Sequence, residues 1–347
     1  MKDNRLQHLK TLLLLGVVIN HAWAGSQYIT TPQFPPLHFV SWFSNILIVS
    51  GLPVFFFLSG YFASWHFDEY LTWSGYWRML KRKFASLAVP YLLWNLIFIV
   101  FYLAVGSVVP RIGQRVASFH LNTFCGCLDK LLGLSASPLD APLWFVRDLF
   151  VLFLVLPLLV AAMKYAKWLL YVGFIALFLS SDLIYEKWYS IVLFTIGLDL
   201  GRRSFDLHRF ESFRWYAIPT WIIGSVGVYL SMVSANLTHA NPRIVIWFYM
   251  LAPVAWIGML RLVRFKDGGV FDRYLTPAAF YIYASHFLFC SIILHSVAGK
   301  VPDNPFKLMI LYAAFIIGGG FIMLSSFAAI KRIAPKFLSL LAGGRVS

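Results

Sequence analysis

The chain has 347 residues, of which 60% are hydrophobic and 12% charged, with a formal net charge of +15. A soluble domain runs near half apolar and a quarter charged, so this chain lacks the polar surface to cover itself, and its solvent must be lipid. The positive charge falls in short blocks between apolar runs and no nucleic-acid recognition motif is present, so it reads as loops facing anionic lipid and excludes nucleic acid as a partner.

Apolar runs of spanning length lie near residues 9–24, 40–62, 84–106, 143–163, 167–182, 187–201, 215–233, 243–262, 275–297 and 306–330. They predict an all-α, polytopic transmembrane helical bundle of about ten spans. One set of alternate loops carries most of the Lys and Arg: Lys2, Arg5 and Lys10; Arg78, Lys81, Arg82 and Lys83; Lys164 and Lys167; Arg202, Arg203, Arg209 and Arg214; Arg264, Lys266 and Arg273; and Lys331, Arg332, Lys336 and Arg345. The other set is sparse, apart from the long loop 106–142 with Arg111, Arg115 and Lys130, and long loops follow charge rules weakly. This alternation puts both termini in the cytoplasm. Residues 1–347 form one membrane domain, since spans of about 20 residues leave only short loops.

The first run follows a basic start and ends in Ala22-Trp23-Ala24, which resembles a signal-peptide cleavage site, but Asn20 and His21 sit awkwardly in that reading and the run is taken as a span. Lys10 and His21 are separated by a rotation within about 20° of three full turns and by roughly 16 Å of helix rise, so they share one stripe. That stripe offers a cation at the cytoplasmic edge and an imidazole in the interior, where ionisable groups are costly and mark function. The second run ends Gly51-Leu52-Pro53-Val54-Phe55-Phe56-Phe57-Leu58-Ser59-Gly60-Tyr61, and Ser59 there bonds either a ligand or its own helix backbone. The loop after it holds Arg78, Lys81, Arg82 and Lys83, which serve topology alone or also form a phosphate-binding rim.

The fourth run opens with Pro142-Leu143-Trp144-Phe145-Val146-Arg147-Asp148. Sequence neighbours on a helix do not face each other, so Arg147 and Asp148 are each expected either to orient a polar acceptor or to pair with another helix. Asp199 is a further ionisable group inside a predicted span. His286, on the ninth run, lies roughly 16 Å in from the cytoplasmic end, a depth matched to His21. The two histidines either share a cavity or are packing residues bonded to backbone. Cys125 and Cys127 stand too close for an ordinary disulfide, Cys290 is alone, and no metal-ligand spacing occurs, so no metal is expected.

Taken in order, these elements resemble acyltransferase family 3 of integral membrane proteins. The resemblance rests on Leu9-Lys10-Thr11 with His21, on Phe55 to Tyr61, on Lys81-Arg82-Lys83 with Pro90-Tyr91-Leu92-Leu93-Trp94-Asn95, and on Tyr281-Ile282-Tyr283-Ala284-Ser285-His286-Phe287. Leu143-Trp144-Phe145, and Ile196-Gly197-Leu198 with Gly201-Arg202-Arg203, also fit in order. It implies a multi-pass protein of the bacterial cytoplasmic membrane. Such a protein moves an acyl group, most often acetyl, from cytoplasmic acyl-coenzyme A to a hydroxyl of a cell-surface or lipid-linked glycan. It implies that His21 is the essential histidine, and that Lys10 with the rim of Arg78, Arg82 and Lys83 docks the coenzyme. Three departures stand out. Gln7 and His8 occupy a stretch that is often acidic, Ser86 stands where a second basic residue is usual, and no proline follows His286.

On this reading His21 is either a general base toward the acceptor hydroxyl or the acyl carrier, and His286 or Tyr283 stabilises the developing oxyanion. The alternative is a transporter or flippase of a lipid-linked or small polar substrate, which would need no acyl donor.

Overall fold

The computed structural model describes residues 4–23, 35–135, 137–180, 188–234, 242–262, 268–297 and 305–345, and among these no strand occurs. In chain order the helices are α1 (Asn4–Ala22), α2 (Leu37–His66), α3 (Trp73–Gly106), α4 (Pro110–Ser118), α5 (Phe124–Leu132), α6 (Trp144–Leu154), α7 (Leu156–Tyr165), α8 (Lys167–Ser180), α9 (Trp188–Arg202), α10 (Arg209–Ser212), α11 (Arg214–Ser234), α12 (Pro242–Met259), α13 (Thr276–Val297), α14 (Phe306–Ile333) and α15 (Pro335–Leu341). Among the described residues each apolar run is largely helical, and residues 24, 181–182 and 187 of the runs lie outside them. By length and composition, α2, α3, α11 and α14 can each cross a membrane, and α6 with α7 makes a fifth if the bent pair is one span. The chain is therefore a multi-pass helical membrane protein.

Three local features depart from the sequence reading. The long loop 106–142 holds two short helices, α4 and α5, started by Pro110 and by a Thr123 hydroxyl that accepts from the Gly126 N–H at 3.1 Å. Their apolar residues are too few and too interrupted to register as a spanning run. The basic loop after the second run is also helical. The Thr72 side chain caps it, and it continues through a wide π turn at Phe84–Ala88 into the third apolar run. Pro90 lacks an N–H for the turn behind it, and the wide turn sits where that bond is missing. The fourth run bends by 54° at the join of α6 and α7, next to Pro157.

Glycines set the closest helix pair. A Cβ at Gly60 of α2 would stand 1.9 Å from the Phe194 carbonyl oxygen of α9, and one at Gly197 of α9 would stand 2.0 Å from the Phe57 carbonyl oxygen. The two backbones touch because neither residue has a side chain, as small residues permit between membrane helices. At the centre lies α13, whose residues from Ala278 to His286 are all buried. It packs along α1.

Polar ties fix the helix ends. Arg5 bonds Glu211 at 2.9 Å, Lys167 and Arg203 bond Asp199 at 2.7 and 3.0 Å, and His8 at the start of α1 bonds Asp272 just before α13. Asp199, the ionisable group predicted inside a span, is thus held in a structural ion cluster. The Gly268 backbone N–H and His8 hold the Asp272 carboxyl below its usual range. A depressed carboxyl contributes stability that is complete above its unfolded pKa and lost as pH falls through the folded one. The melting-temperature difference between wild type and Asp272→Asn in detergent should therefore shrink as pH is lowered from about 6 to about 3. A difference that stays constant across that range contradicts the tie.

Candidate active site

The first part of α1 and the adjoining ends of α2, α3 and α13 enclose a cavity of about 730 Å³, within the usual range for small-molecule sites. Lys10 enters from α1, Ser59 and His66 from α2, Arg82, Lys83 and Ser86 from α3, Thr276 and Phe280 from α13, and Arg345 from the chain end. Glu69 and Tyr70 lie at the rim, on the link between α2 and α3. The rise of α1 puts Lys10 at this end for the reason given by the charge pattern: it is the last basic residue before an apolar run.

The cations are not neutralised by the protein. Lys10 lies 4.4 Å from the Phe62 ring centre and Lys83 lies 4.1 Å from that of Phe153. Arg345 lies 4.2 Å over Phe280. Among the described residues, Lys10, Arg82, Lys83 and Arg345 make no salt bridge. The one carboxylate at the rim, Glu69, is already engaged by His66 at 3.0 Å and approached by Arg78 at 3.9 Å. Those neighbours, the His66 hydrogen bond foremost, hold its carboxyl below the usual range. Burial pushes the Tyr70 phenol up to about 12, so it faces the cavity as an O–H donor. Unpaired cations, a neutral donor and aromatic walls suit a polyanion with a flat ring system. The Ser59 hydroxyl faces this space and has no hydrogen-bond partner among the described residues, so its own helix backbone does not engage it.

Arg78 is not part of the cavity. It approaches Glu69 at 3.9 Å and lines a separate surface hollow with Trp73, Trp77 and Lys81, although it stands one turn from Arg82 on the same side of α3.

Deeper in, His21 and His286 meet. Their ring centres are 5.3 Å apart, and His21 also packs edge-on against Phe287 at 5.7 Å. The His286 Nδ1–H donates to the Tyr283 carbonyl, which leaves Nε2 as a buried acceptor without a partner. His21 makes no hydrogen bond among the described residues, so the packing-histidine reading does not account for it. The pair is an uncommitted imidazole beside a base-bearing one.

The cavity floor stops short of this pair. On α1 the lining ends at Leu14, roughly 10 Å of helix rise before His21. Leu13, Val17, Val18 and Tyr283 are buried and do not line the cavity. Tyr283 donates its hydroxyl to the Pro142 carbonyl at 2.5 Å and is fully buried, so its proton is engaged in holding the start of the α6 segment.

Arg147 and Asp148 correct another expectation. The Arg147 guanidinium curls back onto the Asp148 carboxylate at 2.9 Å and donates to the Gly133 carbonyl at 2.5 Å. The helix-face argument holds for short side chains. A long arginine on the first turn can reach its neighbour while tying α6 to the left-handed end of α5. Both groups are largely buried away from the cytoplasmic cavity.

Two residues were not singled out from sequence. Arg345 reads there as one more cytoplasmic charge. Asp140 is fully buried, and neither carboxylate oxygen has a hydrogen-bond partner, while its backbone N–H donates to Asn95 at 2.9 Å. Neither position carries a local pattern that distinguishes it. Trp94 and Asn95, by contrast, belong to a quoted motif and gain a structural reason: Trp94 bonds the Leu341 carbonyl at 3.1 Å and Asn95 fixes the approach to α6.

The sequence profile of the family described as an acyltransferase domain matches residues 3–331. The chain belongs to that acyltransferase family. It is 24% identical to the succinoglycan biosynthesis protein ExoH of Rhizobium meliloti (strain 1021), over 98% of this chain and 92% of the relative. No solved structure matches it. Family membership makes the cationic cavity the natural place to test for an acyl donor, and the chain end from Lys336 onward lies outside the matched region.

Proposed function

We propose that this protein is a membrane O-acyltransferase that takes an acyl group, acetyl by preference, from cytoplasmic acyl-coenzyme A to a hydroxyl of a cell-surface or lipid-linked glycan. The observation that carries the reading is the unneutralised cationic cavity at the cytoplasmic end of α1, with an uncommitted imidazole further along the same helix. The named relation to a succinoglycan biosynthesis protein supports a polysaccharide acceptor. The protein is one domain of ten spans in the bacterial cytoplasmic membrane, with both termini in the cytoplasm.

Lys10, Arg82 and Lys83 hold the phosphates of the donor, whose thioester supplies the activated acyl group. Ser59 and Tyr70 offer hydroxyls along its path. His21 takes the acceptor hydroxyl proton as the new ester C–O bond forms and the thioester C–S bond breaks, and returns it to the departing thiolate. Acting instead as carrier, it would bear the acyl group between the two halves of the reaction. His286 holds its Nδ1 proton on the backbone and presents Nε2 toward the site, which fixes its tautomer. The cavity lining ends at Leu14 on α1, so donor and His21 meet when a path opens between them.

Purified protein should melt at a higher temperature with coenzyme A than without it, and cells lacking the protein should lose one acyl mass from a surface glycan. Protection without any lost acyl mass contradicts the transferase reading. Transport of a lipid-linked sugar without an acyl donor would favour a carrier instead.

A further inference from the structure

The chain end is built into the donor cavity. Helix α15 buries Leu338 and Leu341 completely or nearly so, and Trp94 of α3 donates to the Leu341 carbonyl at 3.1 Å. After Ala342 the chain doubles back through two left-handed glycines, Gly343 at φ +62° and Gly344 at φ +75°. The Gly344 N–H returns to the Ser339 carbonyl at 2.8 Å, as in a glycine-terminated helix. A Cβ at Gly343 would stand 2.4 Å from the Ser86 carbonyl oxygen, so the turn sits against the wall of the cavity and tolerates no side chain.

This turn delivers Arg345 to the cavity. Its guanidinium lies over Phe280 at 4.2 Å and donates to the Ala342 carbonyl at 3.0 Å, which orients it without neutralising it. Its accessible surface is that of an exposed residue, yet burial pulls the group down to about 10. Both hold because the surface it exposes is cavity wall. It remains charged at neutral pH, and it repels Lys10 and Lys83 across the same space. Four cations facing one cavity, against the single carboxylate of Glu69 already engaged by His66, destabilise the empty site and favour a polyanion in it.

We propose that Arg345 is a fourth phosphate ligand of this cavity, so that the C-terminal turn closes the binding site for the nucleotide end of the donor. This rests on the donor reading given under Proposed function. The shared chemistry is a phosphate ester, which either a coenzyme A donor or an anionic lipid headgroup could supply, and the assignment here is to the donor.

The test is equilibrium binding of coenzyme A, with no acyl group and no acceptor, to the full chain in zwitterionic nanodiscs. Arg345→Gln should weaken binding roughly ten-fold, the scale of one charge-assisted contact. Arg345→Lys should recover most of the affinity. Arg345→Met, which keeps contact with Phe280 but not the charge, should behave like Gln. Gly343→Ala, which blocks the turn while leaving the arginine in place, should weaken binding to a similar degree. Pantetheine, which lacks the phosphates, should bind wild type and variants alike.

Affinity kept in Met and lost in Lys would mean packing and overturn the proposal, as would unchanged coenzyme A affinity in Arg345→Gln. Stabilisation by anionic lipid in place of coenzyme A would transfer the site to a headgroup and overturn the assignment. Failure of wild type itself to bind coenzyme A would remove the donor reading first and this inference with it, an outcome distinct from a failure at Arg345 alone.

Discussion

His21→Ala is expected to lower acyl transfer by at least about a hundred-fold, the small end of what a positioned general base contributes, and to abolish it if His21 is the acyl carrier. The fold should survive. His21 makes no hydrogen bond among the described residues, so its removal orphans no buried partner, and the lost contacts are the rings of His286 and Phe287 at 5.3 and 5.7 Å. Coenzyme A binding should persist, since the cavity that would hold it ends on α1 at Leu14, roughly 10 Å of helix rise before His21. The measurement is the initial rate of acyl transfer by purified variant, alongside its melting temperature and donor affinity. A variant that transfers at the wild-type rate removes His21 from the chemistry. One that no longer folds would point to a structural role that the described contacts do not predict.

Gly60→Val should prevent accumulation of folded protein. The Cβ alone would lie 1.9 Å from the Phe194 carbonyl oxygen and 3.1 Å from the Leu198 nitrogen, both backbone atoms that no rotamer change can move aside. α2 and α9 would have to separate along their whole contact, where a Cβ at Gly197 would likewise stand 2.0 Å from the Phe57 carbonyl oxygen. A cost of about 3 kcal/mol or more is expected, at or beyond the upper end of ordinary overpacking. Gly227→Ala is the matched control, because nothing lies within 4 Å of a Cβ there and alanine is the better helix former. Size-exclusion profiles of solubilised membranes should show a folded peak for Gly227→Ala and none for Gly60→Val. A folded peak for both would mean that the helices are less tightly packed than described. This reading also bears on the motif around Gly60: its glycine serves the helix contact, while Ser59 beside it faces the cavity.

The reach of sequence reasoning follows the range of the interactions involved. Mean hydropathy and charge alternation are properties of single segments, and they placed the apolar runs largely on helices and gathered Lys10, Arg82 and Lys83 at one end. The Lys10–His21 stripe is likewise local, since helix rise and rotation alone determine it. Matched depth suggested that His21 and His286 could share a space, because two spans entering from one side rise at the same rate.

The tertiary structure decided the rest. Whether Arg78 joins Arg82 in the cavity depends on where Glu69, Trp73 and Trp77 stand around it, and a basic run gives no such information. That Arg147 folds back onto Asp148 depends on Gly133, which is brought near by the two helices of a loop with no readable pattern. That the cavity lining on α1 ends at Leu14 depends on how helices far apart in the chain pack around it. Arg345 is the plainest case. Its charge was visible in the composition, but its place beside Lys10 and Lys83 comes from a turn of two glycines docked on Ser86, a contact between segments more than two hundred residues apart. Hydropathy tells each segment to leave water, and only the shapes of the packed helices tell it which neighbour to leave water with.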